Sequence, residues 1–348
     1  MGDKKVTLVT GAAGYWGAEV AAELHSNTAR HVIGLARTSD SIKDGSLDIV
    51  QVDLNNSLLP EFLRSESVDT ICHLQFEDPA QSDSTGTSSN AAETAKVLEA
   101  AEKAGVERVI LVSSTSVYGA HPDNPAILRE GSSLRGDDKS SYTRGYLVVE
   151  SLASKMREKG SRPSITVLRF ANIIGPKTAA PFSRYLSQPS PAVFLGFDPM
   201  FQVIHEQDAV KAVVVAAENN VSGEFNIAAE GAVPLSRIFK IIRKFPTPRL
   251  HAFAARKSIK HPKFGCGVYG ETVIPWDYLR YSIVADLTKM KDELGFEPSI
   301  SPVETLLDLC GRKPLKASDE TESSEAEDVN QLRELMRSRA EAREKQPD

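Results

Sequence analysis

VTLVTGAAGYWG, residues 6–17, runs from a β-branched apolar segment straight into the spacing T-G-x-x-G-x-x-G. Val6–Thr10 has the length and composition of a buried strand, and apolar residues at helical spacing follow the glycines to about residue 27. Each glycine has its own task in a strand–turn–helix of this kind. Gly11 permits the tight turn, Gly14 lets the backbone approach a pyrophosphate, and Gly17 lets the helix lie against the strand. The free N–H groups and positive dipole end at the start of the helix then face the phosphates. The stretch predicts a dinucleotide site built on Gly11, Ala13, Gly14, Tyr15, Trp16 and Gly17.

The alternation continues. HVIGLA (31–36), LDIVQVDL (47–54), VDTICHL (68–74), VERVILVSS (106–114) and ITVLRF (165–170) read as strands. SNAAETAKVLEAAEKAG (89–105) and SSYTRGYLVVESLASKMREKG (140–160) read as helices that stop at glycine. Strands alternating with helices predict an α/β fold with a Rossmann-type, doubly wound parallel sheet over residues 1–171. From 172 to 314 proline and glycine become frequent, although a helix at Asp208–Asn219 and a strand at 223–228 rejoin the pattern. Residues 246–280 read as irregular. This part predicts a smaller C-terminal α/β lobe over the carboxyl edge of the sheet, where ligands bind in open α/β folds. Residues 315–348 hold ten acids and six bases and read as a disordered tail, with a partner-docking segment as the alternative.

The composition narrows the function. Outside that tail the chain is close to neutral, and no Lys/Arg stripe marks a nucleic-acid groove. No apolar stretch is long enough to span a membrane, and the N-terminus lacks signal-peptide character, so a cytoplasmic protein is expected. Cys72, Cys266 and Cys310 are widely spaced and odd in number, which points to free thiols and to no metal site. At the end of the second strand no carboxylate stands ready for a ribose 2′-hydroxyl. Arg37 follows Ala36 and leans the reading toward NADP over NAD. Asp53 and Leu54, read as closing the third strand, are placed at the adenine.

Taken with the glycine turn, VSSTSVYG (112–119), LRFANIIGP (168–176), QVIHEQDAVKAVVVA (202–216) and LTKMKDELGFEP (287–298) come in a familiar order. The chain resembles the extended short-chain dehydrogenase/reductases of the NAD-dependent epimerase/dehydratase group over about residues 5–312. It is most similar to an actinobacterial epimerase-like subgroup. The resemblance implies a nucleotide sugar or similar polar carbonyl or alcohol as substrate. It implies Ser114 and Tyr142 as catalytic residues, with Tyr142 also at the cofactor, and Thr115 and Asn172 at the substrate. His205 and Asp208 match a junction segment, where His205 is expected to pack. The fourth strand ends His73-Leu74-Gln75-Phe76, where the family has small residues beside the cofactor, so Leu74 and Gln75 are placed there. A homodimer through residues 89–105 and 145–158 is also implied.

One position breaks the pattern. In YTRGY (142–146) the family's lysine is replaced by Tyr146. Residues four apart share a helix face, so a lysine there would bias Tyr142 toward tyrosinate. A nearby cation lowers a tyrosine pKa by roughly 1–3 units, and three units are worth about 4 kcal/mol. Arg144 is on another face, and Glu150, four residues past Tyr146, cannot restart the motif. Two readings stay open: an enzyme with an altered site, or an NAD(P)-binding protein with little catalysis, acting as redox sensor or scaffold.

Overall fold

The computed structural model describes residues 5–27, 29–36, 48–74, 86–137, 141–160, 162–178, 180–249 and 274–312. Among them seven strands form one parallel sheet. In chain order these are β1 (Val6–Thr10), β2 (His31–Ala36), β3 (Asp48–Gln51), β4 (Val68–His73), β5 (Arg108–Ser114) and β6 (Ser164–Phe170), with β11 (Gly223–Ile227) joining later. The spatial order is β3-β2-β1-β4-β5-β6-β11. Chain order therefore reverses direction between β1 and β4, and a crevice opens at their carboxyl ends.

β1 is buried along its whole length because helices cover both faces of the sheet. On one face α1 (Tyr15–Asn27) and α6 (Glu206–Glu218) bury Val20, Leu24, Val210 and Val213 against Val9, Ile110 and Phe225. On the other, α2 (Leu59–Ser65), α3 (Gly86–Ala104) and α4 (Ser141–Glu158) bury Leu63, Val97, Ala101, Val149 and Ala153 against Leu8, Ile71 and Val109. α2 has a short, proline-containing sequence whose helical period spans too few residues to be read, and it was not expected.

Beyond β6 lies a third core in which Ile174, Phe182, Tyr185, Phe201, Ile238 and Phe239 pack together. It is assembled from short pieces. β7 (Asn172–Ile174) pairs with β10 (Val203–His205), β8 (Ala192–Phe194) with β13 (Thr247–Arg249), and β9 (Met200–Phe201) with β12 (Val233–Pro234). α5 (Pro181–Ser187), α7 (Leu235–Ile242), α8 (Thr288–Asp292) and α9 (Pro302–Asp308) complete the elements named here. Of residues 246–280, read as irregular, 246–249 and 274–280 are described and hold β13 and a 3-10 helix at Trp276–Leu279, while 250–273 lie outside the described residues. Met1–Cys310 forms one compact unit. Among the described residues no helix is long and apolar enough to cross a membrane, and no group of metal-ligating side chains is found. Cys72 is buried and Cys310 half-buried, both as free thiols, while Cys266 and residues 315–348 lie outside the described residues.

Candidate functional site

The glycine turn is built as its spacing demands. Gly11 has φ 73°, a left-handed conformation that glycine adopts without strain. A Cβ on Gly17 would stand 2.2 Å from the Gly11 carbonyl oxygen, so only glycine lets α1 start this close to the turn. Gly14 is exposed at the tip. The turn thus presents bare backbone at the start of α1, which fits a pyrophosphate. Tyr15 and Trp16 behave differently from each other. The Trp16 ring packs edge-on against Phe170 at 5.3 Å and joins the core, leaving its backbone to the site. The Tyr15 ring lies beneath the Lys177 ammonium at 5.5 Å. Burial, then the charges of Glu206 and Glu19, push its phenol pKa up.

A neutral clamp ties the carboxyl ends of β1 and β4 together. Thr10 Oγ1 and His73 Nδ1 are 2.8 Å apart, His73 Nε2 lies 3.0 Å from Thr94 Oγ1, and the Leu74 N–H donates to Thr10 Oγ1 at 3.1 Å. Burial lowers the His73 pKa to about 4, so the ring is uncharged near neutrality. Leu74 is therefore fixed beside the glycine turn. Gln75 and Arg37 lie outside the described residues. β3 ends at Gln51, so Asp53 and Leu54 occupy the following turn and do not close the strand. Asp53 Oδ1 accepts from the Asn55 N–H at 2.9 Å, and the Leu54 side chain is buried in the core against α2 and α3. Only the exposed Asp53 carboxylate and the backbone of this turn are left for an adenine.

Ser114 ends β5, two strands from β1, and caps the 3-10 helix Thr115–Tyr118. Its Oγ accepts from the Ser116 N–H at 3.2 Å, which leaves its O–H proton to donate elsewhere. Thr115 is buried at the start of that helix. α4 carries Tyr142 in its first turn, with its side chain outside the described part; Tyr146, one turn on, is half-buried. The next position on that face, Glu150, is fully committed. It receives Ser113 Oγ at 2.7 Å and Arg169 through Nε at 2.8 Å and Nη2 at 2.9 Å. Arg169 reaches on to Tyr118 Oη at 2.9 Å, which donates to Asn226 Oδ1 at 2.7 Å. A carboxylate held this way is no general base. It locks α4 against the end of β5, beside Ser114.

Asn172 donates through Nδ2 to the Gln202 carbonyl at 2.9 Å and so ties β7 to the strand beside it. His205 packs as expected: Nδ1 caps α6 through the Gln207 N–H at 3.2 Å, and Nε2 meets Asp308 Oδ2 at 3.1 Å. Asp208 is buried and accepts from Ser299 Oγ and the Ile300 N–H. Three side-chain roles were not read from the sequence. Glu206 is buried at the head of α6, close enough to Gly175 that a Cβ there would strike its carboxyl group. Glu150 had a signal, since it repeats the four-residue step from Tyr142. Tyr278 had none, because its contact with Ser116 spans 162 residues.

Known proteins share this fold. Residues 7–228 match the model of the NAD dependent epimerase/dehydratase family. Uncharacterized protein Rv0501 of Mycobacterium tuberculosis is 31% identical over 316 residues, covering 87% of this chain and 83% of its own. The solved structure of MoeE5 in complex with UDP-glucose and NAD superposes with a TM-score of 0.66 at 24% identity, covering 88% of this chain and 97% of that one. UDP-glucose 4-epimerase from Thermotoga maritima, solved with UDP-glucose, gives 0.67 at 21% identity with the same coverage.

Proposed function

The chain belongs to the NAD dependent epimerase/dehydratase family, and from that premise we propose that it binds NAD at the β1–β4 crevice and acts on a nucleotide sugar. Bound NAD supplies the acceptor and donor of a hydride. The bare turn at Gly11–Gly17 holds the pyrophosphate, and the neutral Thr10–His73–Thr94 clamp keeps the crevice walls in register. Ser114 directs its free O–H proton at the substrate oxygen, and Tyr142 passes the proton from α4. Thr115 and Asn172 line the sugar side, and residues 172–314 supply the lobe that covers it. The observation that carries the reading is the state of Ser114: its hydroxyl accepts a backbone hydrogen bond and so keeps its own proton to donate. Arg280 fits the substrate's phosphates. Its guanidinium sits 5.0 Å from the Phe197 ring centre and 4.9 Å from that of Tyr281, and its Nη1 pairs with Asp277 Oδ1 at 3.2 Å, an anchoring that suits a planar donor to a phosphate. A homodimer through α3 and α4 and a preference between NAD and NADP belong to the same proposal.

Calorimetry with NAD and NADP, followed by assays on UDP-, GDP- and dTDP-sugars, tests it. NAD binding with measurable turnover is expected, and Tyr146→Lys should raise the rate by restoring the cation. Tyr146 also favours one second reading, a cofactor-binding protein with little catalysis. Tight NAD binding with no turnover, and no gain in Tyr146→Lys, would replace the first reading with the second.

A further inference from the structure

We propose that Tyr278 is a positioning residue for the Ser114–Tyr142 edge, holding the 3-10 helix after β5 and the first turn of α4 in one arrangement from the far lobe. The inference rests on the reading of Ser114 and Tyr142 as the proton-handling pair. Tyr278 Oη donates to the Ser116 carbonyl at 2.8 Å and lies 3.4 Å from Thr143 Oγ1. Ser116 is therefore gripped on both sides, with its N–H bound to Ser114 Oγ and its C=O bound to Tyr278. A shift of this residue would turn the Ser114 hydroxyl with it.

The second arm acts on α4. Thr143 is fully buried and follows Tyr142 directly. Gly136 packs so tightly on it that a Cβ there would come within 2.4 Å of the Thr143 methyl group. One hydroxyl thus touches the neighbours of both candidate proton-handling residues. Tyr278 is suited to donate, because burial raises its pKa to about 12. Its own segment is well anchored. The Arg280 guanidinium lies over the Phe197 and Tyr281 rings, Ser282 Oγ accepts from the Met200 N–H at 2.9 Å, and the Val284 carbonyl accepts from the Leu128 N–H at 2.7 Å.

The test uses the full chain with NAD and compares wild type, Tyr278→Phe and Thr143→Val. Gly119 is the reporter, since its N–H shares the Ser116 carbonyl at 3.0 Å. In Tyr278→Phe, hydrogen exchange at Gly119 and in the first turn of α4 should rise about five-fold, the effect of one lost neutral hydrogen bond. Exchange in β2 and α6 should stay unchanged. Thr143→Val should accelerate only the α4 turn. On a nucleotide sugar that wild type turns over, kcat of Tyr278→Phe should fall roughly ten-fold at unchanged KM, the mark of an interaction that matters in the transition state. Unchanged exchange at Gly119, equal acceleration throughout the lobe, or faster exchange with unaltered kcat would each overturn the inference. If wild type turns over no nucleotide sugar, the proposed activity fails, while exchange at Gly119 still decides whether the clamp exists.

Discussion

The two ends of the central sheet handle buried polar groups in opposite ways. At the amino edge, Asp69 sits between two guanidinium groups, Arg30 at 3.0 Å and Arg108 at 3.4 Å. It also accepts from the Val6 N–H, and Arg108 reaches the carbonyls of Glu218 and Asn219 at the end of α6. There one carboxylate is shared by two guanidinium groups, and the cluster serves the fold. At the carboxyl edge the groups facing the crevice, Thr10, His73 and Ser114, are neutral, and the charged pair behind them, Glu150 with Arg169, is matched internally. Neutral groups at these positions leave the backbone N–H groups of the glycine turn free to receive an anionic dinucleotide. The amino edge spends its charges on stability, and the carboxyl edge leaves its donors for a ligand.

That contrast can be broken at either end. Asp69→Asn leaves two buried guanidiniums sharing no carboxylate and should cost about 3–5 kcal/mol in urea unfolding. Because Asp69 is remote from the crevice, NAD affinity of the folded variant should hold. At the carboxyl edge, His73 predicts an acid sensitivity with a definite sign. Its folded pKa, about 4, lies below the ordinary 6.5, so the unfolded chain takes the proton first as pH falls. Stability should be full above 6.5 and drop by roughly 2–3 kcal/mol between neutral pH and 4.5, a loss that His73→Asn should largely abolish in pH-dependent denaturation. Asp69 acts in a lower window. Its pKa is depressed below 3.8: burial would raise it, but the hydrogen bonds from Thr70 and Arg30 outweigh that. Its stabilisation is therefore lost only in stronger acid. Gly17→Ala drives a methyl group into the Gly11 carbonyl and should cost about 1–3 kcal/mol, with NAD binding lost in calorimetry. The smallest effect belongs to Arg162→Ala, which removes an exposed pair with Glu107 and should change stability by less than about 0.5 kcal/mol.

How much was legible follows from the range of the interactions. The strands and helices of the main sheet were readable because apolar period and stop signals are local. They erred mostly at their ends: β3 stops three residues early, and α3 already includes Gly86, three residues before its expected start. The third core was poorly legible, since its strands of two or three residues carry no period, and their pairing, as in β13 with β8, joins segments far apart in the chain. At the site, Gly17 announced its role through spacing, whereas Leu54 did not reveal that its side chain belongs to the core.

The chain alone determined the glycine turn, the alternation that makes a parallel sheet, and the spacing of Tyr142 and Tyr146 by one helical turn, because each is written in residues within a few positions of one another. Tertiary structure decided what those residues meet. It committed Glu150 to Arg169 and Ser113, kept His73 neutral by burial, and brought Tyr278 across 162 residues to the carbonyl of Ser116. Desolvation and long-range hydrogen bonding depend on packing that no local pattern encodes.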